Sequence, residues 1–220
     1  MPLTRPRPLG RRGGVAFHAA RIDAINSAVD LLVVGMAEQI DGERPGGGAA
    51  ALDRAWHGTL RRLRQGGIFR GGWGETLTLI APPAPLRAGA LMLIGLGPTP
   101  HVHSDGRLRN AETGRFTAGP ADTGGIGDLT ALAMDAALRM AARNTACLLG
   151  WCGSAPPLSW AVPAAEAMMH GALAALGRHG APGHAMDWTF DIRGRHATAV
   201  AAALSAPLAE PDTDLRSPDD

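Results

Sequence analysis

The stretch "RPGGGAAALDRAWHGTLRRLRQGG", residues 44–67, holds the residues whose spacing most invites chemistry. Gly46, Gly47 and Gly48 run straight into an apolar-periodic segment. A glycine run at a helix start can cradle a phosphate, because the backbone approaches closely and unpaired N–H groups favour negative charge. It can equally let a loop pack tightly. Other chemistry is thinner. His101, His103 and Asp105 in "HVHSD" are metal-ligand types, but two histidines on a loop are ordinarily solvated, and no metal site is expected. His18, His170, His179, His184 and His196 are scattered without a Ser or Cys partner. All 21 basic residues are arginine, so mechanisms that require lysine are excluded. Cys147 and Cys152 in "CLLGWC" would point to opposite faces of a strand, which reads as buried thiols rather than a disulfide.

The elements that must position these residues alternate along the chain. "GVAFHAA" (14–20), "DLLVVGMA" (30–37), "ETLTLIAP" (75–82), "ALMLIGLG" (90–97), "TACLLGWC" (145–152) and "AMDWTFDI" (185–192) read as strands. Apolar residues three and four apart predict amphipathic helices over 49–64, 126–143, 163–177 and 194–206, with Pro163 in the first turn of the third. Arg61, Arg62 and Arg64 read as a solvated helix face. Residues 98–128 show no periodicity and read as a long loop. The order predicts a three-layer α/β/α sandwich on a mixed, mostly parallel sheet. One domain over 14–206 is expected, between a disordered Pro/Arg-rich segment (1–13) and a disordered acidic tail (207–220). A net charge of +1 gives no reason to expect nucleic acid, and no apolar run is long enough to span a membrane. The N-terminus has no apolar secretory region, so the default expectation is cytoplasmic.

The ordered set "DLLVVG", "GGGAAALDRAWHGTLRRLRQGGIFRGGWGETLTLIAP" and "ALMLIGLG" resembles the N-terminal domain of the leucyl aminopeptidase family, peptidase family M17. The likeness covers about residues 15–205. It includes an "AAALD" helix, a turn of the type F-x-G-x-x-G-E-T-L at Phe69 to Leu77, and the later strand at Leu91 to Gly97. In that family two metals and the catalytic groups, lysines among them, lie in a larger C-terminal domain. The resemblance implies a chain that stops before that domain, with no catalytic residues, no cofactor and no peptidase activity. "HSDGRLRN" lacks the Ala-Glu pair of the family's metal motif.

The same N-terminal domain is similar to macrodomains, which bind ADP-ribose. On that likeness Asp23, seven residues before Asp30, would accept a hydrogen bond from the adenine amine. Gly46, Gly47 and Gly48 would form one diphosphate loop, and Thr123, Gly124, Gly125 and Gly127 in "TGGIGD" the other. The macrodomain "N-A-A-N" is "VGMA" here, which removes the contacts to the distal ribose. Two functions follow as expectations. One is a non-catalytic domain acting by protein–protein contact, with itself or with a separately encoded aminopeptidase subunit. The other is a module that binds ADP-ribose or a related nucleotide.

Overall fold

The computed structural model describes residues 6–38, 47–98, 101–102, 108–109, 116–117, 123–149, 158–194 and 196–210. Along the chain come β1 (Arg7–Arg12), β2 (Val15–Ala20), β3 (Leu31–Glu38), α1 (Gly47–Ala55), α2 (Thr59–Gln65), β4 (Thr76–Ile80) and β5 (Ala90–Pro98). Three two-residue strands follow: β6 (His101–Val102), β7 (Leu108–Arg109) and β8 (Phe116–Thr117). The remainder is α3 (Thr123–Arg139), β9 (Asn144–Leu148), α4 (Leu158–His179), β10 (Met186–Asp191) and α5 (Ala197–Ala209).

Seven strands form one sheet in the order β1-β2-β10-β9-β3-β5-β4. The five inner strands are mutually parallel, and the two edges, β1 and β4, are antiparallel to their neighbours. β6, β7 and β8 make a separate small antiparallel sheet. Burial explains the inner strand β3: every residue from Leu31 to Ala37 is inside, as a parallel strand covered on both faces requires. Leu31 and Val33 join the core under α3, α4 and α5, where Trp188, Phe190 and Phe17 are the bulkiest members. Leu32, Val34 and Met36 join the opposite core with Leu52, Trp56 and Leu60 of the α1–α2 layer. The architecture is a three-layer α/β/α sandwich on a mixed, mostly parallel sheet.

Several boundaries differ from the sequence reading. Residues 7–12, expected to be disordered, form an edge strand paired with β2. Arg12 holds it down by donating to the carbonyls of Pro207 and Leu208 at 3.4 and 3.3 Å, and to that of Glu210. The helix expected over 49–64 is two helices. Gly58 breaks it with a φ of 83°, and the buried Asp53 carboxylate caps the second piece by accepting from the Arg61 N–H (3.1 Å) and Nε (3.0 Å). Arg61 is therefore paired, and Arg62 donates to the His57 carbonyl at 2.8 Å, so this face is not merely solvated. α3 starts at Thr123, inside the segment read as loop. α4 begins five residues before Pro163, which costs an interior hydrogen bond; burial of Ala161, Ala164 and Ala165 around the ring offsets it. α5 runs through Pro207 to Ala209, and residues 211–220 of the expected tail lie outside the described residues.

α3 and α4 cross on bare backbone. A methyl group on Gly171 would lie 2.6 Å from the Gly127 carbonyl carbon, and one on Gly127 would lie 2.7 Å from the Ala167 oxygen. Gly171→Val should therefore destabilise the fold by about 3 kcal/mol or more. Gly177, on the same helix with open space around it, provides the control: Gly177→Ala should stabilise by about 0.5–1 kcal/mol. Urea unfolding followed by circular dichroism measures both, and equal effects of the two substitutions would refute the crossing.

Candidate functional site

Parallel strands end together, so the carboxyl ends of β2, β10, β9, β3 and β5 share one rim, the place where open α/β sheets present ligand-binding loops. Asp23 follows β2, α1 begins beyond β3, α3 begins beyond β5, and Arg193 follows β10. The Asp23 side chain is exposed and tied into a turn. Its Oδ1 accepts from the N–H groups of Ile25 (2.9 Å) and Asn26 (3.2 Å), and its Oδ2 accepts from Asn26 Nδ2 at 2.8 Å. The Asn26 amide, then the Ile25 N–H, hold this carboxyl below its ordinary range. An ionised carboxylate has about four acceptor positions, so Oδ2 retains capacity beyond Asn26.

Asp191, at the end of β10, is a different kind of carboxylate. Burial pushes it up, against the opposing pull of the Ile22 N–H and Arg193. It accepts from the Ile22 N–H at 2.7 Å and from Arg193 Nε at 2.6 Å, while Arg193 also donates to the Ile22 carbonyl. It is a strut between β10 and the segment carrying Asp23.

The glycines divide by what surrounds them. Gly47 opens α1 with a φ of 53° and faces solvent. Gly48 is packed: a methyl there would stand 3.2 Å from Leu148 and 3.4 Å from Val34. Gly125 lies against the Trp73 indole, where an added methyl would overlap the ring and stand 2.7 Å from its Cη2, and Gly127 is the α3–α4 crossing. Close packing thus accounts for Gly48, Gly125 and Gly127. Thr123 and Gly124 belong to the first turn of α3, and Gly46 lies outside the described residues.

Glu75 is the residue the sequence reading passed over. Its carboxylate accepts from the backbone N–H groups of Arg70 (3.1 and 2.9 Å), Gly71 (2.8 Å) and Gly72 (3.0 Å). This is an anion nest filled from within. Gly71, with a φ of 85°, rests on the carbonyls of Met36 and Ala37, 2.9 Å from an added methyl. Trp73, half exposed, extends from this loop over Gly97 and Gly125. The "G-G-W-G-E" spacing was the available signal.

The remaining candidates do not converge on the rim. His18 Nε2 pairs with Asp187 at 3.2 Å on the sheet face, and His179 pairs with Asp135 at 3.1 Å between α3 and α4. Cys147 is buried and its thiol is pushed up to about 12, so it carries no thiolate at neutral pH. Cys152, His103 and Asp105 lie outside the described residues, as do the side chains of His101 and Thr123. Among the described residues no group of three or more His, Cys, Asp or Glu could hold a metal ion. No helix there is long and apolar enough to cross a membrane.

No protein-family model matches the sequence, and no curated protein matches it. Solved structures match in fold. A mutant tomato leucine aminopeptidase superposes with a TM-score of 0.56 at 17% identity, over 90% of this chain and 37% of that one. This chain therefore spans little more than a third of that enzyme's length. The Trypanosoma brucei macrodomain in complex with ADP-ribose gives 0.56 at 16% identity, over 93% and 75% of the two chains. The Oceanobacillus iheyensis macrodomain with ADP gives 0.56 at 9% identity, over 93% and 98%. The fold is macrodomain-like, and identities this low speak for the fold alone.

Removing the nest's anion leaves three donors facing one another. Glu75→Ala should lower stability by about 2–4 kcal/mol, and Glu75→Gln, which keeps one acceptor oxygen, by less. Thermal denaturation of the two variants checks the order; a Glu75→Ala protein as stable as wild type would remove the nest's structural role.

Proposed function

We propose that this chain is a non-catalytic, macrodomain-like module that binds a nucleotide diphosphate of the ADP-ribose class across the carboxyl rim. One observation carries the reading: the ionised, exposed Asp23 carboxylate shares that rim with the glycine-led starts of α1 and α3. The adenine amine would donate to Asp23 Oδ2, which among the described residues accepts only from Asn26. The diphosphate would lie between the solvent-facing Gly47 at the start of α1 and Thr123 and Gly124 in the first turn of α3, where helix N–H groups favour negative charge, while Gly48, Gly125 and Gly127 serve packing. With "VGMA" in place of an Asn-containing motif, the distal ribose is held less firmly and no hydrolytic step is assigned.

A second reading rests on the aminopeptidase superposition, which takes in 90% of this chain and only part of the enzyme. On that reading the domain works by contact, with itself or with a separately encoded aminopeptidase subunit, and the ligand site is inherited geometry.

Calorimetry with ADP-ribose separates the two. Micromolar binding is expected for the nucleotide module, and Gly47→Glu, which places an anion at the start of α1, should abolish it. Asp23→Asn keeps an acceptor for the turn and removes the charge; affinity should fall about tenfold, or about 1.4 kcal/mol. No heat at millimolar ligand would leave only the contact reading.

A further inference from the structure

The two edges of the sheet are finished differently. β1 carries Arg7, Pro8, Arg11 and Arg12, has a bulge between Pro8 and Gly10, and is covered by α5. These are the devices by which natural sheets keep an edge from pairing. β4 has none of them. Its sequence, Thr-Leu-Thr-Leu-Ile, is uncharged and regular, and among the described residues it pairs only with β5.

The backbone of β4 alternates. The Glu75 carbonyl accepts from the Gly95 N–H at 2.7 Å, and the Ala81 N–H donates to the Gly89 carbonyl at 2.9 Å. Residues of that parity, Leu77 and Leu79 among them, turn their N–H and C=O groups toward β5. Thr76, Thr78 and Ile80 turn theirs outward, and their side chains are exposed, Ile80 to 69%. Among the described residues, Ile80 thus stands on an edge whose outward donors and acceptors have no strand partner, beside a large apolar side chain.

We propose that β4 pairs with β4 of a second copy of this chain, antiparallel about a two-fold axis at Thr78. The sequence is self-complementary in that register. Thr78 meets Thr78 as the central hydrogen-bonded pair, Thr76 meets Ile80, and Leu77 meets Leu79 on the face toward α2. Threonine pairs and aliphatic pairs are stabilising cross-strand neighbours, and no like charges oppose. A hollow of about 480 Å³ lies alongside the same edge, lined by Trp56, Leu63, Leu79, Pro83 and Pro85, and gives the partner's side chains an apolar surface to cover. An isologous contact of this kind closes as a dimer instead of propagating. The edge carries none of the rim residues, so dimerisation and nucleotide binding are separate readouts.

Sedimentation velocity over a concentration series, combined with cross-linking of a Thr78→Cys variant, tests the register. Hydrogen-bonded antiparallel partners sit about 5.5 Å apart at Cα, within disulfide reach. The expected result is a dimer that mild oxidation of Thr78→Cys locks in a Cys152→Ser background, under conditions where that background alone, with Cys147 buried, is not cross-linked. Thr78→Lys, which opposes two ammonium groups at the centre of an exposed site, should shift the midpoint of dimerisation at least tenfold while leaving the circular dichroism spectrum unchanged. A chain monomeric at hundreds of micromolar, or a dimer that survives Thr78→Lys and does not cross-link through Cys at 78, overturns the proposal.

Discussion

The carboxylate of Glu75 in its ring of three N–H groups is the interaction on which the carboxyl rim is built. Without it, residues 70–72 would bring three unpaired donors to a place with no room to rearrange. Gly71 already rests on the carbonyls of Met36 and Ala37, and a methyl on Gly95 would lie 2.6 Å from the Gly71 carbonyl carbon. The loop so fixed projects Trp73 onto Gly97 and onto Gly125 in the first turns of α3. α3 then meets α4 backbone to backbone at Gly127 and Gly171, and farther along the same pair Asp135 binds Arg178 and His179, each at 3.1 Å. One carboxylate thus orders a loop whose tryptophan rests on α3, the helix that packs backbone to backbone on α4.

A second constraint places Asp23. β2 and β3 are consecutive in the chain but separated in the sheet by β10 and β9. Residues 21–30 make that crossing without a helix, laying Ile22 and Ala24 into the α1–α2 core. The strap is pinned at one end by Asp191 on the Ile22 N–H. At the other, the Asp30 carboxylate accepts from the N–H groups of Arg143 (2.7 Å) and Asn144 (3.2 Å). Between them, the Ile25 and Val29 carbonyls accept from Arg87 and Gly89. The seven-residue spacing from Asp23 to Asp30 is therefore the length of a strap, with Asp30 serving the opposite rim.

This distinction shows why the sheet was legible in the sequence and the site only in outline. Strands announce themselves by continuous apolar runs, and β3, β5 and β9 were read within a residue or a few of their observed ends. The edge strand β1 was not, because its residues are mostly Arg, Pro and Gly, and the Arg12 clamp that holds it against β2 is supplied by Pro207 and Leu208, 195 and 196 positions away. The α1–α2 break depends on a buried Asp53 reaching eight residues forward, which periodicity does not encode. The glycines are the instructive case. A glycine beside a phosphate and a glycine beside another helix look the same in a sequence, and only tertiary neighbours distinguish Gly47, facing solvent, from Gly48, Gly125 and Gly127. Glu75 was missed for the opposite reason: it satisfies the chain's own backbone, so its role has no signature in terms of ligands.

The two carboxylates at the end of β2 and β10 show how the rim keeps one acceptor available while spending another. Asp23 has its pKa lowered by the Asn26 amide and the Ile25 N–H. The stability it lends the turn is therefore complete above the ordinary carboxylate range and is lost as pH falls through the folded value. Asp191 has its pKa raised by burial, so its contribution has the opposite sign: the fold takes up a proton there more readily than the unfolded chain, and stability from this group declines as pH rises through the folded value. Two similar side chains a few residues from the same strand ends are thus pushed apart by solvent access. The buried one has both oxygens committed, to Ile22 and to Arg193, and can only hold the strap. The exposed one stays charged into mildly acidic solution, with an oxygen that accepts a single hydrogen bond among the described residues, and it is this difference in environment, more than the presence of an aspartate, that sets Asp23 apart from Asp191.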